Sequence, residues 1–141
     1  MRILLYIIIL ALLFFAPVQA ADVGKLQPVE LVLLDARQGS VCLYTDTGDA
    51  GEGETVTQAL QIMKKNASRL IYLDTATCLL VTPAAERYIA DVAQYLDGDV
   101  RICFAYAETD LEEAAKYLQI HRDQPTIKAW KQGKTVPFLG L

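Results

Sequence analysis

The sequence predicts an α/β domain, α+β-like in character, with a mixed β-sheet of about four to five strands and three helices in the order ββαβ(β)αβα. Two observations carry this. Short apolar runs bounded by turn residues recur at 29–34, 41–45, 76–81 and 100–106, and segments with helical spacing of apolar residues lie at 54–65, 83–96 and 109–119. In the second half of the chain the two kinds of segment alternate, so helices are expected to cover the sheet.

The first run, Val29-Glu30-Leu31-Val32-Leu33-Leu34, is apolar on both faces near its end and reads as a strand buried within the sheet. Gln38-Gly39-Ser40 is a turn signal and 41–45 a second strand, so the pair reads as a hairpin. The glycine-rich, acidic stretch 47–53 reads as a mobile, exposed loop. In 54–65, Val56, Ala59, Leu60 and Met63 share one helical face, and Lys64 and Lys65 suit the negative end of the helix dipole. A short extended stretch at 70–73 precedes the uncharged strand 76–81, which is expected to be central. Thr82 and Pro83 then make a helix start, with Thr82 as N-cap and Glu86 in the first turn. The face of this helix is Ala85, Tyr88, Ile89, Val92, Ala93 and Leu96, and Asp97-Gly98-Asp99 ends it. Strand 100–106 puts Val100, Ile102, Phe104 and Tyr106 on one side and Cys103 and Ala105 on the other. The third helix, 109–119, is capped by Thr109, turns Leu111, Ala114, Ala115 and Leu118 inward, and carries a Glu112–Lys116 pair outside. Residues 126–130 are expected to form a short edge strand. The apolar end, 136–141, is expected either to cover the sheet or to serve as a docking tail.

The N-terminus has the layout of an export signal: Met1-Arg2, an unbroken apolar run over 3–15, Pro17, and Val18-Gln19-Ala20 as a cleavage site before Ala21. The run is shorter than the roughly 20 residues that span a bilayer, so residues 1–20 are expected to be a cleaved signal peptide, with an uncleaved anchor as the alternative. Residues 21–27 read as a tether and 28–141 as one domain. Removing 1–20 takes away Arg2 and no acid, leaving the 13 bases one fewer against 17 acids, about −5. Acids and bases are mixed along the chain. The positive stripe that nucleic-acid binding or attraction to an anionic membrane surface requires is missing.

Cys42, Cys78 and Cys103 are odd in number, widely spaced and set in apolar runs. They read as buried thiols, with one disulfide among them left open. His121, the single histidine, follows a helix in a polar segment and reads as a solvated helix-end residue. The acids Asp46, Asp49, Glu52 and Glu54 do not have EF-hand spacing, and Gly48–Gly53 lacks the pattern of a phosphate loop. Asn66-Ala67-Ser68 is a glycosylation sequon. Asp35 and Asp74 each follow a strongly apolar run, where strand ends carry site residues as well as turn formers. No catalytic, cofactor-binding or metal-ligating set is expected. Asp35, Asp74, Arg101, Tyr106 and Trp130 are the candidate partner or ligand contacts.

Gly53-Glu54-Thr55-Val56-Thr57-Gln58-Ala59-Leu60, then Leu70-Ile71-Tyr72-Leu73, then Cys78-Leu79-Leu80-Val81-Thr82, then an alanine-bearing helix leading to Asp99-Val100-Arg101-Ile102, resembles the N-terminal domain of the Ger(x)C spore-germination proteins. In that family the initial strand ends in an aspartate, where Asp35 stands here. The resemblance covers roughly 28–120. The chain departs from it in having no cysteine directly after the signal, in Leu73-Asp74 where the family has Gly-His, and in stopping where the family continues. The resemblance implies a stand-alone first domain: a non-enzymatic germinant-receptor subunit, peripheral to the membrane on its outer side and held there by contacts with membrane receptor subunits or other exported proteins. The alternatives are an exported small-molecule or peptide binding domain unrelated to germination, and a carboxylate-dependent hydrolase using Asp35 or Asp74.

Overall fold

A computed structural model describes residues 1–15 and 26–140 of the chain. The elements are α1 (Arg2–Phe15), β1 (Leu26–Pro28), β2 (Leu31–Arg37), β3 (Ser40–Thr45), β4 (Ala50–Gly53), α2 (Val56–Asn66), β5 (Leu70–Tyr72), β6 (Cys78–Val81), α3 (Ile89–Ala93), β7 (Arg101–Phe104), α4 (Leu111–Ile120) and α5 (Ile127–Lys131). Two 3-10 segments, Leu73–Thr75 and Pro83–Tyr88, lead into β6 and α3. Five strands form one mixed sheet in the order β4-β3-β2-β6-β7, and β1 and β5 form a separate two-stranded parallel ladder.

The chain alternates β2, β6 and β7 in parallel, with β3 and β4 antiparallel at one side. Period-two alternation sends Val32, Leu34, Val41, Leu43, Leu79, Val81 and Ile102 to one face, where they pack against α2, α3 and Ile127 of α5. The other face carries Leu31, Leu33, Cys78, Leu80 and Cys103, covered by Ala114 and Leu118 of α4. Strand β2 is therefore buried on both sides, as its sequence predicts. The hairpin joining β2 to β3 turns on Gln38 (φ 51°) and Gly39 (φ 82°) between the paired residues Arg37 and Ser40. Two consecutive positive φ values make this a type I′ turn, whose twist matches the flanking strands.

Several expectations are corrected. The tether ends early: Leu26 and Gln27 belong to β1, held against β5 through Leu26↔Leu70 and Gln27↔Ile71. The expected cleavage site at 18–20 and the first part of the tether lie outside the described residues. The stretch 47–53 is not a free loop, because 50–53 form strand β4 on β3. Its glycines serve closeness: a Cβ on Gly51 would stand 2.1 Å from the Ala59 carbonyl oxygen and 2.7 Å from the Met63 amide nitrogen, so only glycine lets α2 lie on this strand. Residues 127–131 are a helical turn capped by Thr126, whose hydroxyl accepts from the Ala129 amide, and not an edge strand. The third helix is capped by Asp110, which accepts from the Glu112 and Glu113 amides, and not by Thr109.

The apolar end belongs to the fold. The Phe104 amide donates to the Pro137 carbonyl and the Leu139 amide to the Phe104 carbonyl, each at 2.8 Å, so the tail pairs with the outer edge of β7. Val136 packs on one core and Leu139 on the other.

Two predictions follow the packing. Gly51→Ala should cost about 3 kcal/mol, because the atoms it meets are helix backbone that cannot rotate away; a thermal melt should fall by roughly 10 °C. Deleting 136–141 should likewise lower the melting temperature by roughly 10 °C, through lost edge bonds and burial. A melt within about 2 °C of the full chain would mean that the tail is not part of the core's stability.

Candidate functional site

The carboxyl ends of parallel strands are where open sheets commonly place ligands, and here β2 and β6 deliver Asp35 and Thr82 side by side. Asp35 is 4% exposed. Its Oδ1 accepts from the Thr82 hydroxyl at 2.7 Å and from the Ala36 amide at 2.8 Å, and its Oδ2 accepts from Arg37 Nε at 2.9 Å. Burial alone would raise this carboxyl, but the bonds from Thr82, Arg37 and Ala36 outweigh it and hold Asp35 below its ordinary value. A buried carboxylate with this many donors is committed to joining two strands. Thr82 thus has a different role from the predicted cap: no side-chain cap bond forms, and its hydroxyl goes across to Asp35.

Beside this knot, Cys42 lies opposite Asp35 on β3, with Tyr44 two residues on and Glu52 opposite Cys42 on β4. Burial and the neighbouring Glu52 charge push the Cys42 thiol up, and burial raises the Tyr44 hydroxyl. A reactive thiolate needs the opposite environment. The Cys103 thiol is raised by its bond with Cys78 and by burial. All three cysteines are free and buried.

The remaining predicted contacts are dispersed. Asp74 is exposed in the 3-10 turn before β6, beside Thr75, whose hydroxyl donates to the Val29 carbonyl. That places it before the start of β2, whereas Asp35 is the fifth residue of that strand, roughly 20 Å away at about 3.3 Å per residue. The two carboxylates share no cleft. Arg101 begins β7 and donates to the Leu118 carbonyl at 3.0 Å, the His121 carbonyl at 3.1 Å and Gln124 Oε1 at 2.7 Å. It neutralises the carbonyl-rich end of α4, with Arg122 Nε adding a bond to the Gln119 carbonyl. An open cleft of about 870 Å³ lies at this end of the sheet, but its polar walls bond to each other, Gln119 to Glu30 Oε2 among them. His121 stacks on Tyr117 with ring centroids 4.0 Å apart and stays at the helix end as expected. Trp130 is half-buried and packs against the core.

Tyr106 is different. It is 61% exposed, and its ring lies 5.7 Å from that of Phe138, itself 52% exposed and 5.4 Å from Phe104. The three rings form a strip beside the β7 edge, with Tyr106 and Phe138 open to solvent. Reading the sequence missed Phe138, since nothing local signals that the end of the chain returns to residue 104. It also missed the Thr82–Asp35 bond; the signal for that was two polar residues each closing an apolar run in adjacent parallel strands.

Among the described residues no three His, Cys, Asp or Glu side chains gather as a metal site would need. Comparison with protein-family models, with curated proteins and with solved structures finds no match for this chain.

Asp35→Ala should destabilise the domain by about 2–3 kcal/mol, because it strands the buried Thr82 hydroxyl and the Ala36 amide. The pH dependence has a definite sign. Asp35 is depressed in the folded state, so its contribution is complete above its unfolded value near 4 and is lost as pH falls through the lower folded value. The stability gap between wild type and Asp35→Asn, read by denaturant melts, should therefore be constant from pH 5 to 7 and shrink below pH 4; a gap that widened on acidification would contradict the assignment.

Proposed function

We propose that this chain is an exported, non-enzymatic interaction domain working at the outer face of a bacterial membrane, as a germinant-receptor subunit resembling the first domain of the Ger(x)C proteins. The observation that supports it most is α1. Every residue from Met1 to Leu13 is exposed, and the best covered of its large apolar side chains, Ile9, is still 47% exposed. Burial of such a side chain is worth about 1.5–3 kcal/mol, so a helix apolar all round belongs in hydrocarbon rather than water. Its 14 residues reach about 21 Å, short of a bilayer core of about 30 Å. No helix among the described residues is long and apolar enough to cross a membrane. The length suits the apolar core of an export signal.

The binding side of the proposal is supported by how the polar groups are spent. Asp35 and Arg101 are engaged in holding strands and a helix end, whereas Tyr106 and Phe138 leave aromatic area in water with no bond of the fold depending on their outer faces. Exposed aromatics of this kind anchor protein–protein contacts. Receptor membrane subunits or other exported proteins are the partners proposed.

The test has two arms. A reporter active only outside the cytoplasm, fused after Leu141, should be active, and Ile7→Arg with Leu10→Arg should abolish that activity; an inactive wild-type fusion overturns export. Tyr106→Ser with Phe138→Thr should reduce co-purification of the receptor membrane subunits at least tenfold while the melting temperature stays within about 5 °C. Undiminished recovery would remove the aromatic strip from the interface.

A further inference from the structure

The two edges of the sheet are treated differently. At β7 the chain itself closes much of the outer edge: the Ile102 amide donates to Pro125 O, the Ile127 amide to Val100 O, and the 137–139 segment takes both groups of Phe104. At β4 nothing does. The hairpin bond from the Thr45 amide to the Asp49 carbonyl, 3.0 Å, sets the phase of the β3–β4 ladder. With Leu43↔Gly51 and Val41↔Gly53 as the next bonded pairs, the amides and carbonyls of Gly51 and Gly53 point inward and those of Ala50 and Glu52 point out. Both Ala50 and Glu52 are exposed, and no other described segment bonds to their backbone.

A groove of about 270 Å³ runs along this edge, lined by Tyr44, Ala50, Gly51, Glu52, Ile62 and Asn66. It exists because the absent side chain of Gly51 draws α2 down onto the strand, leaving Ile62 and Asn66 as a rim beside the free backbone. Donor and acceptor pairs two residues apart match one chemistry, an extended polypeptide main chain. Charge specifies it further. Residues 46–54 hold four acids and no base. Asp46 is engaged by the Glu30 and Leu31 amides, while Asp49, Glu52 and Glu54 have no ion pair among the described residues.

We propose that β4 receives an extended, basic segment of a partner polypeptide as a sixth strand. Lys or Arg at alternate positions would lie over Glu52 and Tyr44, and small apolar residues between them would face Ile62. This deepens the binding role proposed above and rests on it, but not on export or on the aromatic strip.

The probe is a fluorescein-labelled, amidated Lys-Val-Lys-Val-Lys-Val peptide, titrated into the full-length chain in mild detergent and followed by anisotropy. It should bind, and amide exchange at Ala50 and Glu52 should slow. Methylating either the three Lys or the three Val backbone nitrogens should separate the two edges of the peptide: one set should weaken binding at least tenfold and the other leave it unchanged. Glu52→Lys should reverse the preference toward a Glu/Val peptide. Absence of binding, or equal binding of both methylated forms, overturns the proposal, the latter because it signals charge attraction without strand addition. Concentration-dependent self-association that the peptide cannot compete with overturns it in favour of a second copy of this chain. If the peptide fails while Tyr106→Ser with Phe138→Thr still releases the receptor subunits, the edge is wrong and the interaction role stands.

Discussion

Leu31, Val32, Leu33 and Leu34 are each at most 3% exposed, so β2 must be covered on both faces at once, and the rest of the architecture answers that requirement. One side is met by α2 and α3, the other by α4, and neither set of helices would have a surface to pack on if β2 left the middle of the sheet. A strand buried on two sides also has to satisfy its ends. Asp46 accepts from the Glu30 and Leu31 amides where β2 begins, and Asp35 gathers Ala36, Arg37 and Thr82 where it finishes. The two acids bracket the strand and fix its position against β3 and β6, which is why both are spent on the fold.

What the sequence made legible was whatever repeats. Four adjacent apolar residues in β2 announced two-sided burial, and Val56, Ala59, Leu60 and Met63 announced a helix face that is buried as predicted. Elements that carry no period were invisible. Strand β4 has two glycines in four residues, and the property that makes it a strand, close approach of a helix, is a property of its neighbour. Strand β1 is three residues held by β5, with no pattern of its own to read. Helix α5 is five residues long; its cap, Thr126, also bridges to Arg101, so local sequence alone suggested an extended edge.

The site was less legible than the fold for a related reason. Polar residues next to apolar runs have two uses, and only the third dimension tells them apart. Arg101 opens a strand and looks available, yet it meets the unpaired carbonyls at the end of α4, which lie 17 and 20 residues further along the chain. Asp74 occupies the same kind of sequence position as Asp35 but emerges in a solvated turn at the other end of the sheet. Tyr106 kept the exposure that a contact residue needs, and the residue that completes its surface, Phe138, comes from the far end of the chain.

The asymmetry of the sheet edges bears on how such a small domain could serve binding at all. Closing β7 consumes 125–127 and 136–139, short pieces that also bring Ile127, Val136 and Leu139 against the two cores. A chain under pressure only to avoid edge-to-edge aggregation would gain as much from blunting β4, by a proline or a covering loop. Instead β4 keeps its outward amides, is backed by a helix through a glycine that tolerates no substitution in space, and is surrounded by carboxylates. Those charges oppose pairing between like copies, since two β4 edges would bring Glu52 near its counterpart, while leaving the edge attractive to a strand of opposite sign. Repulsion toward itself and attraction toward a basic segment are thus one electrostatic arrangement, and the glycine-backed helix supplies the rigid wall against which an added strand would register.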